Sequence, residues 1–152
     1  MAERPRQSRR LAVDVSSESV RSPLGAERVR EIARRALKAC GVRDALVSVA
    51  FVSRRAIAKL NREHLGHSGP TDVITFAMGT TGPHGAIVAD IYISPEVARE
   101  NSKELGVGVR EELARLVVHG VLHAAGRTHS EGRGRSRSLM WKEQEEVLRR
   151  VG

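Results

Sequence analysis

The sequence predicts an α/β (α+β) fold: one domain in which a mixed sheet of about four strands is surrounded by helices. Two observations carry that expectation. Segments with a two-residue apolar alternation and segments with a helical apolar period follow one another in the order β-α-β-α-β-β-α-α-α. The chain of 152 residues also lacks internal repeats and inter-domain linkers, and its length suits a single core.

Residues 1–9 read as a disordered basic tail and 10–152 as the folded domain. LAVDVS alternates and is β-branched enough for a first strand. In LGAERVREIARRALKACG the residues Val29, Ile32, Ala33, Ala36 and Leu37 recur at helical spacing, and Gly41 is a stop signal. ALVSVAFVS is a second strand and RRAIAKLNREHL a second helix, with Ile57 and Leu60 on one face. The loop GHSGP leads into TDVITFAM; after the turn-rich GTTGPHG, AIVADIYIS forms a hairpin with that strand. Ser94 is an N-cap ahead of Pro95 at the first position of the third helix, which closes on Gly106. VREELARLVVHGVLHAAG is the most apolar helix and takes the central place. RTHSEGRGRSRS reads as an Arg/Ser/Gly loop, and LMWKEQEEVLRRV as a final amphipathic helix.

Hydrophobic residues make up 40% and charged ones 29%, a soluble, globular balance. Aromatics are only 3%, so the core must come from Leu, Val, Ile and Ala. Lys and Arg outnumber Asp and Glu by 26 to 18, and the net charge of +8 favours an anionic partner, nucleic acid above all. Genome composition alone also enriches arginine, so the charge is a weak cue. The one cysteine, Cys40, excludes an internal disulfide and suits a reducing compartment. In a helical pattern just before Gly41, it reads as a small core residue rather than a nucleophile. No apolar run nears the ~18 residues of a membrane span, and the basic start leads into no secretory signal. The expected location is cytoplasmic.

Three of the six histidines fall in HGVLHAAGRTH, as His119, His123 and His129. Residues four apart share a helical face, so His119 and His123 aim two imidazoles at one point. His129 joins them only if the helix breaks, and Gly126 is the residue best able to turn the chain there. A lone histidine is ordinarily a surface or hydrogen-bonded core residue, but this constellation predicts a three-histidine metal site with an open fourth position. Imidazole ligation favours zinc, with nickel and copper as alternatives. His64, His67 and His84 lack the arrangement and read as structural or solvent-facing. The spacing also fits H-E-x-x-H-x-x-G-x-x-H, but Gly120 stands where that protease pattern needs its glutamate base, which argues against peptide hydrolysis.

VVHGVLHAAGRTH resembles the histidine signature of the YbeY family, bacterial metal-dependent endoribonucleases of ribosomal RNA maturation. LNREHLGHSGPTDVITF is similar to that family's second motif, ADIYISPEVARENSKELG to its third, and LMWKEQEEVL to its usual close; together they cover most of residues 46–149. The resemblance implies a mixed sheet with surrounding helices and Zn2+ held by His119, His123 and His129. It also implies hydrolysis of single-stranded ribosomal RNA precursors, in rRNA maturation and quality control with the small ribosomal subunit. Many members carry an arginine five residues before the proline of the second motif, where this chain has Leu65. A cation for phosphoryl charge must then come from elsewhere, with Arg62 and the RGRSRS loop as candidates by location. The family's Tyr-Asp pair before the third histidine is replaced by Arg127 and Thr128, which removes a carboxylate and adds positive charge favourable to phosphate.

Other polar residues have weaker roles on this reading. Thr71 and Asp72 open a strand near the cavity, where orienting a ligand histidine is one role open to them; Asp72 and Asp90 otherwise read as strand-end caps or turn formers. Glu112, seven residues before His119, reads as solvated or salt-bridged rather than as a base. Arg133, Arg135 and Arg137 form a basic loop past the site, suited to RNA backbone contact or to plain solvation. Three functions stay open. They are a zinc-dependent endoribonuclease, a metallohydrolase of another substrate, and a ribosome-associated assembly factor with a mainly structural zinc.

Overall fold

The computed structural model describes residues 10–80, 85–127 and 134–151. The stretch read as a basic tail lies outside the described residues. Among the described residues, four strands and five α-helices follow the expected order: β1 (Leu11–Ser17), α1 (Ala26–Ala39), β2 (Ala45–Phe51), α2 (Arg54–Leu60), β3 (Val73–Thr80), β4 (Ile87–Ile93), α3 (Pro95–Leu105), α4 (Val109–Ala124) and α5 (Gly134–Val151). The sheet order is β1-β2-β4-β3. β1, β2 and β4 run parallel, while β3 pairs antiparallel with β4 as the hairpin partner.

The alternation along the strands separates two faces. Val47, Val49, Phe51, Ala89, Ile91 and Ile93 join one main core with the apolar sides of α1, α4 and α5. On the other face Ala50 and Ile74 pack with Ile57 of α2, flanked by Phe76 and Tyr92, while Leu46 stays exposed. Asp90, expected to cap a strand end or form a turn, stands instead in the middle of β4 on this second face, where it accepts a hydrogen bond across the strands from Ser48 Oγ at 2.6 Å. His64 sets its ring edge against Phe76 at 5.4 Å, in keeping with a structural reading.

Two helices differ from the sequence expectation. α2 continues as a π-helical turn, Asn61–Leu65, closed by the Gly66 N–H on the Asn61 carbonyl, so residues 54–65 are helical but not of one pitch. Asn61 Nδ2 then donates to the Gly69 carbonyl at 2.9 Å and holds the GHSGP loop. The last helix begins at Gly134, so residues 134–138, expected within a loop, are helical. Arginine is a good helix former, and one glycine in a first turn is tolerated once Val147, Leu148 and Val151 bury their side chains in the main core. Ser94 caps α3 as expected, accepting from the Val97 N–H at 3.3 Å, with Pro95 next.

Candidate metal centre

The centre of the molecule is α4, whose Leu113, Val117, Val118, Val121 and Leu122 are fully buried. Its seating on the sheet explains Gly120. A Cβ at that position would lie 2.7 Å from Ile91 Cγ2 and 3.0 Å from its Cδ1, so only glycine lets α4 lie this close to β4. Any side chain at 120 would be directed at the sheet, so the protease glutamate is excluded by packing as well as by sequence.

With that face against the sheet, the half-buried His119 and His123 turn together. Their ring centroids are 4.5 Å apart with planes inclined by 55°. The helix ends just beyond, at Ala124 with Ala125 as its cap, and Gly126, with a φ of 82°, then reverses the chain. The Gly126 N–H donates to the His123 carbonyl at 3.0 Å and the Arg127 N–H to the Leu122 carbonyl at 2.8 Å. These are the paired bonds of a Schellman cap, and they turn the chain at the glycine expected to break the helix. His129 and Thr128 themselves lie outside the described residues, as do His84 and Arg133 and the side chains of Arg135 and Arg137.

The two histidines line a cleft of about 570 Å³ together with Asp72, Glu104, Glu112, Arg115, Asn101 and Gln144 on its polar side. Leu105 and Trp141, each about half exposed, contribute to its apolar walls. A larger groove of about 1290 Å³ lies beyond Arg115 and Trp141 and holds no histidine among its described lining. His119 Nδ1 lies 2.6 Å from Gln144 Oε1, a partner delivered by α5. Asp72 stands at the cleft wall, where its Oδ2 accepts from Asn101 Nδ2 at 2.9 Å; the same amide reaches Glu112 Oε2 at 3.5 Å. Asp72 thus does more than close a strand end, but its described side-chain partners are Thr71 and Asn101 rather than a histidine.

Glu112 is buried, which corrects the solvated alternative, and it is salt-bridged to Arg115 at 2.8 Å. Burial pushes its carboxyl above the ordinary range, against the hydrogen bonds from Arg115 and Asn101. Arg115 also bonds Glu145 at 2.9 Å and Glu111 at 3.3 Å. Its bonds to Glu145, and then to Glu112, raise its own pKa despite burial, so it is a permanent cation. Burial pushes Glu145 up, but the hydrogen bonds from Arg115 and Gln144 outweigh it, and this carboxyl titrates below the ordinary range. The guanidinium is consumed by these carboxylates. Among the described residues the cleft therefore presents two imidazoles, a donor type that transition-metal cations take, beside acidic groups, but no three His, Cys, Asp or Glu side chains of the described residues are grouped to hold one.

The remaining candidates stand elsewhere. Arg62 is exposed on the π-helical turn, and neither it nor Leu65 lines the cleft. Arg127 is exposed and faces α1 and α5, with Nη2 donating to the Cys40 carbonyl at 3.5 Å and Nη1 3.6 Å from Glu143. Cys40 packs half-buried beside the core, and burial pushes its thiol up, which fits a packing residue. Sequence reasoning missed Gln144, Glu145 and Asn101. Gln144 left one trace: it is a polar residue on the stripe of α5 that otherwise reads Val147, Leu148, Val151.

A mixed four-stranded sheet backed by helices carries the His119–His123 pair near the end of its central helix. The family model described as Endoribonuclease YbeY matches residues 14–152. A Geobacter metallireducens protein named Endoribonuclease YbeY is 35% identical, with 93% of this chain and 99% of the relative covered. A Bacillus licheniformis protein of the same name is 37% identical, with 93% and 96% covered. The solution structure of a Thermotoga maritima protein is similar with a TM-score of 0.61 at 27% identity, covering 91% of this chain and 88% of that one. The chain belongs to the YbeY endoribonuclease family.

Proposed function

We propose that this protein is a zinc-dependent endoribonuclease that hydrolyses phosphodiester bonds in single-stranded ribosomal RNA precursors. The observation that supports it best is the His119–His123 pair, which converges in an open cleft of a family named for RNA cleavage. His119, His123 and His129 would hold the metal. When bound, Zn2+ supplies a concentrated positive charge that polarises phosphate and acidifies water.

The chain's own residues set the stage for this. The α4 backbone presents both imidazoles from one face, and Gln144 holds His119 by its Nδ1. The Leu105 and Trp141 walls leave room for an unstacked nucleotide beside the histidines. Arg115 keeps its charge within the carboxylate cluster, so it stabilises the wall rather than the substrate. Arg62 and Arg127, both exposed outside the cleft, would attract the RNA backbone. The net charge of +8 favours the same partner, and a place on the small ribosomal subunit in the cytoplasm follows from this role. No helix among the described residues is long and apolar enough to cross a membrane. Peptide hydrolysis is disfavoured because position 120 faces Ile91.

His119→Ala should abolish both metal uptake and cleavage of ribosomal RNA, measured by elemental analysis and by a cleavage assay with and without chelator. Cleavage that survives in metal-free mutant protein would refute the proposal.

A further inference from the structure

We infer that Gln144 and Glu145 are positioning residues that fix His119 as the Nδ1–H tautomer and so reserve its Nε2 lone pair for the metal. This inference rests on the metal reading above. Its geometry is a chain of four side chains from α4 and α5. Arg115 Nε and Nη2 donate to the two oxygens of Glu145 at 2.9 and 3.2 Å. Gln144 Nε2 donates to Glu145 Oε2 at 3.2 Å, and Gln144 Oε1 lies 2.6 Å from His119 Nδ1.

The charges leave one consistent assignment. A carboxylate engaged by a guanidinium accepts hydrogen bonds and donates none. The amide of Gln144 must therefore turn its NH2 to Glu145 and its oxygen to His119. An amide oxygen has no hydrogen to offer, so the proton between Gln144 and His119 belongs to His119 Nδ1. The neutral ring then keeps its single lone pair on Nε2. The flipped amide would set its oxygen against the carboxylate and its NH2 against Nδ1. Gln144 is 3% exposed and the Glu145 side chain 29%, so water screens that repulsion only in part. The relay also accounts for a glutamine on the buried stripe of α5, where an apolar residue would leave Nδ1 without this partner.

The test uses the full chain and Zn2+ alone. Nitrogen-15 NMR of the metal-free protein should show His119 protonated on Nδ1. Gln144→Leu should release the ring to the Nε2–H form usual in water, and Glu145→Gln should give a mixture, because the amide is then free to flip. Gln144→Glu keeps an acceptor oxygen and should retain Nδ1–H. Competition titration should show Zn2+ binding weakened by about 10- to 100-fold in Gln144→Leu and by less in Glu145→Gln. An Nε2–H wild-type ring overturns the inference. So does an unchanged tautomer and Zn2+ affinity in both Gln144→Leu and Glu145→Gln. Wild-type protein that takes up no Zn2+ overturns the metal reading and this role with it. Absence of RNA cleavage with the NMR and titration results intact refutes the nuclease reading alone and upholds the positioning role.

Discussion

Gly120→Ala isolates the contact that seats the histidine-bearing helix. The added Cβ would meet Ile91 Cγ2 at 2.7 Å, Cδ1 at 3.0 Å and Cγ1 at 3.2 Å. Ile91 is fully buried, and its β-branch makes χ1 stiff, so the clash is relieved only by an off-rotamer side chain or by α4 lifting from β4. Overpacking of this kind costs about 1–3 kcal/mol. Alanine's better helix propensity offsets about 1 kcal/mol. The net expectation is a loss of about 1 kcal/mol, the mid-range difference of those two figures. Ile91→Ala removes all three opposing atoms, at its own cost of about 2–5 kcal/mol. In that background Gly120→Ala should become stabilising, with an interaction energy of about 2 kcal/mol between the two sites. Urea denaturation of the four proteins of the cycle measures it. An equal cost for Gly120→Ala in both backgrounds would refute the packing explanation of this glycine.

The buried charges yield the other predictions. Arg115→Met strands Glu112 and should destabilise the protein by about 3–5 kcal/mol, with part of that recovered by adding Glu112→Gln. A single variant as stable as wild type by urea denaturation would contradict the cluster. Glu112→Gln alone should change the pH profile. Burial raises the native Glu112 pKa, so between the unfolded and native values the folded state holds a proton that the unfolded state has released. That contribution is present below the unfolded pKa of about 4.3 and is lost as pH rises through the native value. The stability of Glu112→Gln relative to wild type should therefore improve as pH climbs from about 4 toward neutrality. Glu145 has the opposite sign, since its pKa is lowered and its contribution is lost as pH falls through the native value. A flat difference curve for Glu112→Gln would exclude a buried carboxylate with a raised pKa.

The strands and helices were legible because their signals are local. The apolar alternation of β2, the helical stripe of α1 and the Ser94-Pro95 start of α3 each act within a few residues. Where composition stood in for periodicity the reading failed, as in the Arg/Ser/Gly segment whose later part belongs to α5. Its helicity comes from docking against α1 and α4, which a local window does not contain.

The candidate site divides the same way. By itself the amino-acid order determined the His119–His123 face, since four residues bring a helix round to the same side, and it determined the break at Gly126, since that turn demands a positive φ. It also put glycine at 120. Tertiary structure alone decided why glycine must stand there, because Ile91 comes from another strand. Tertiary structure likewise turned Arg127 toward Cys40 and Glu143, and it brought Gln144 to His119 across 25 positions. Partners that far apart meet only through the crossing of α5 over α4. That crossing is set by the burial of Val147, Leu148 and Val151 in the common core rather than by the chemistry of the residues that meet.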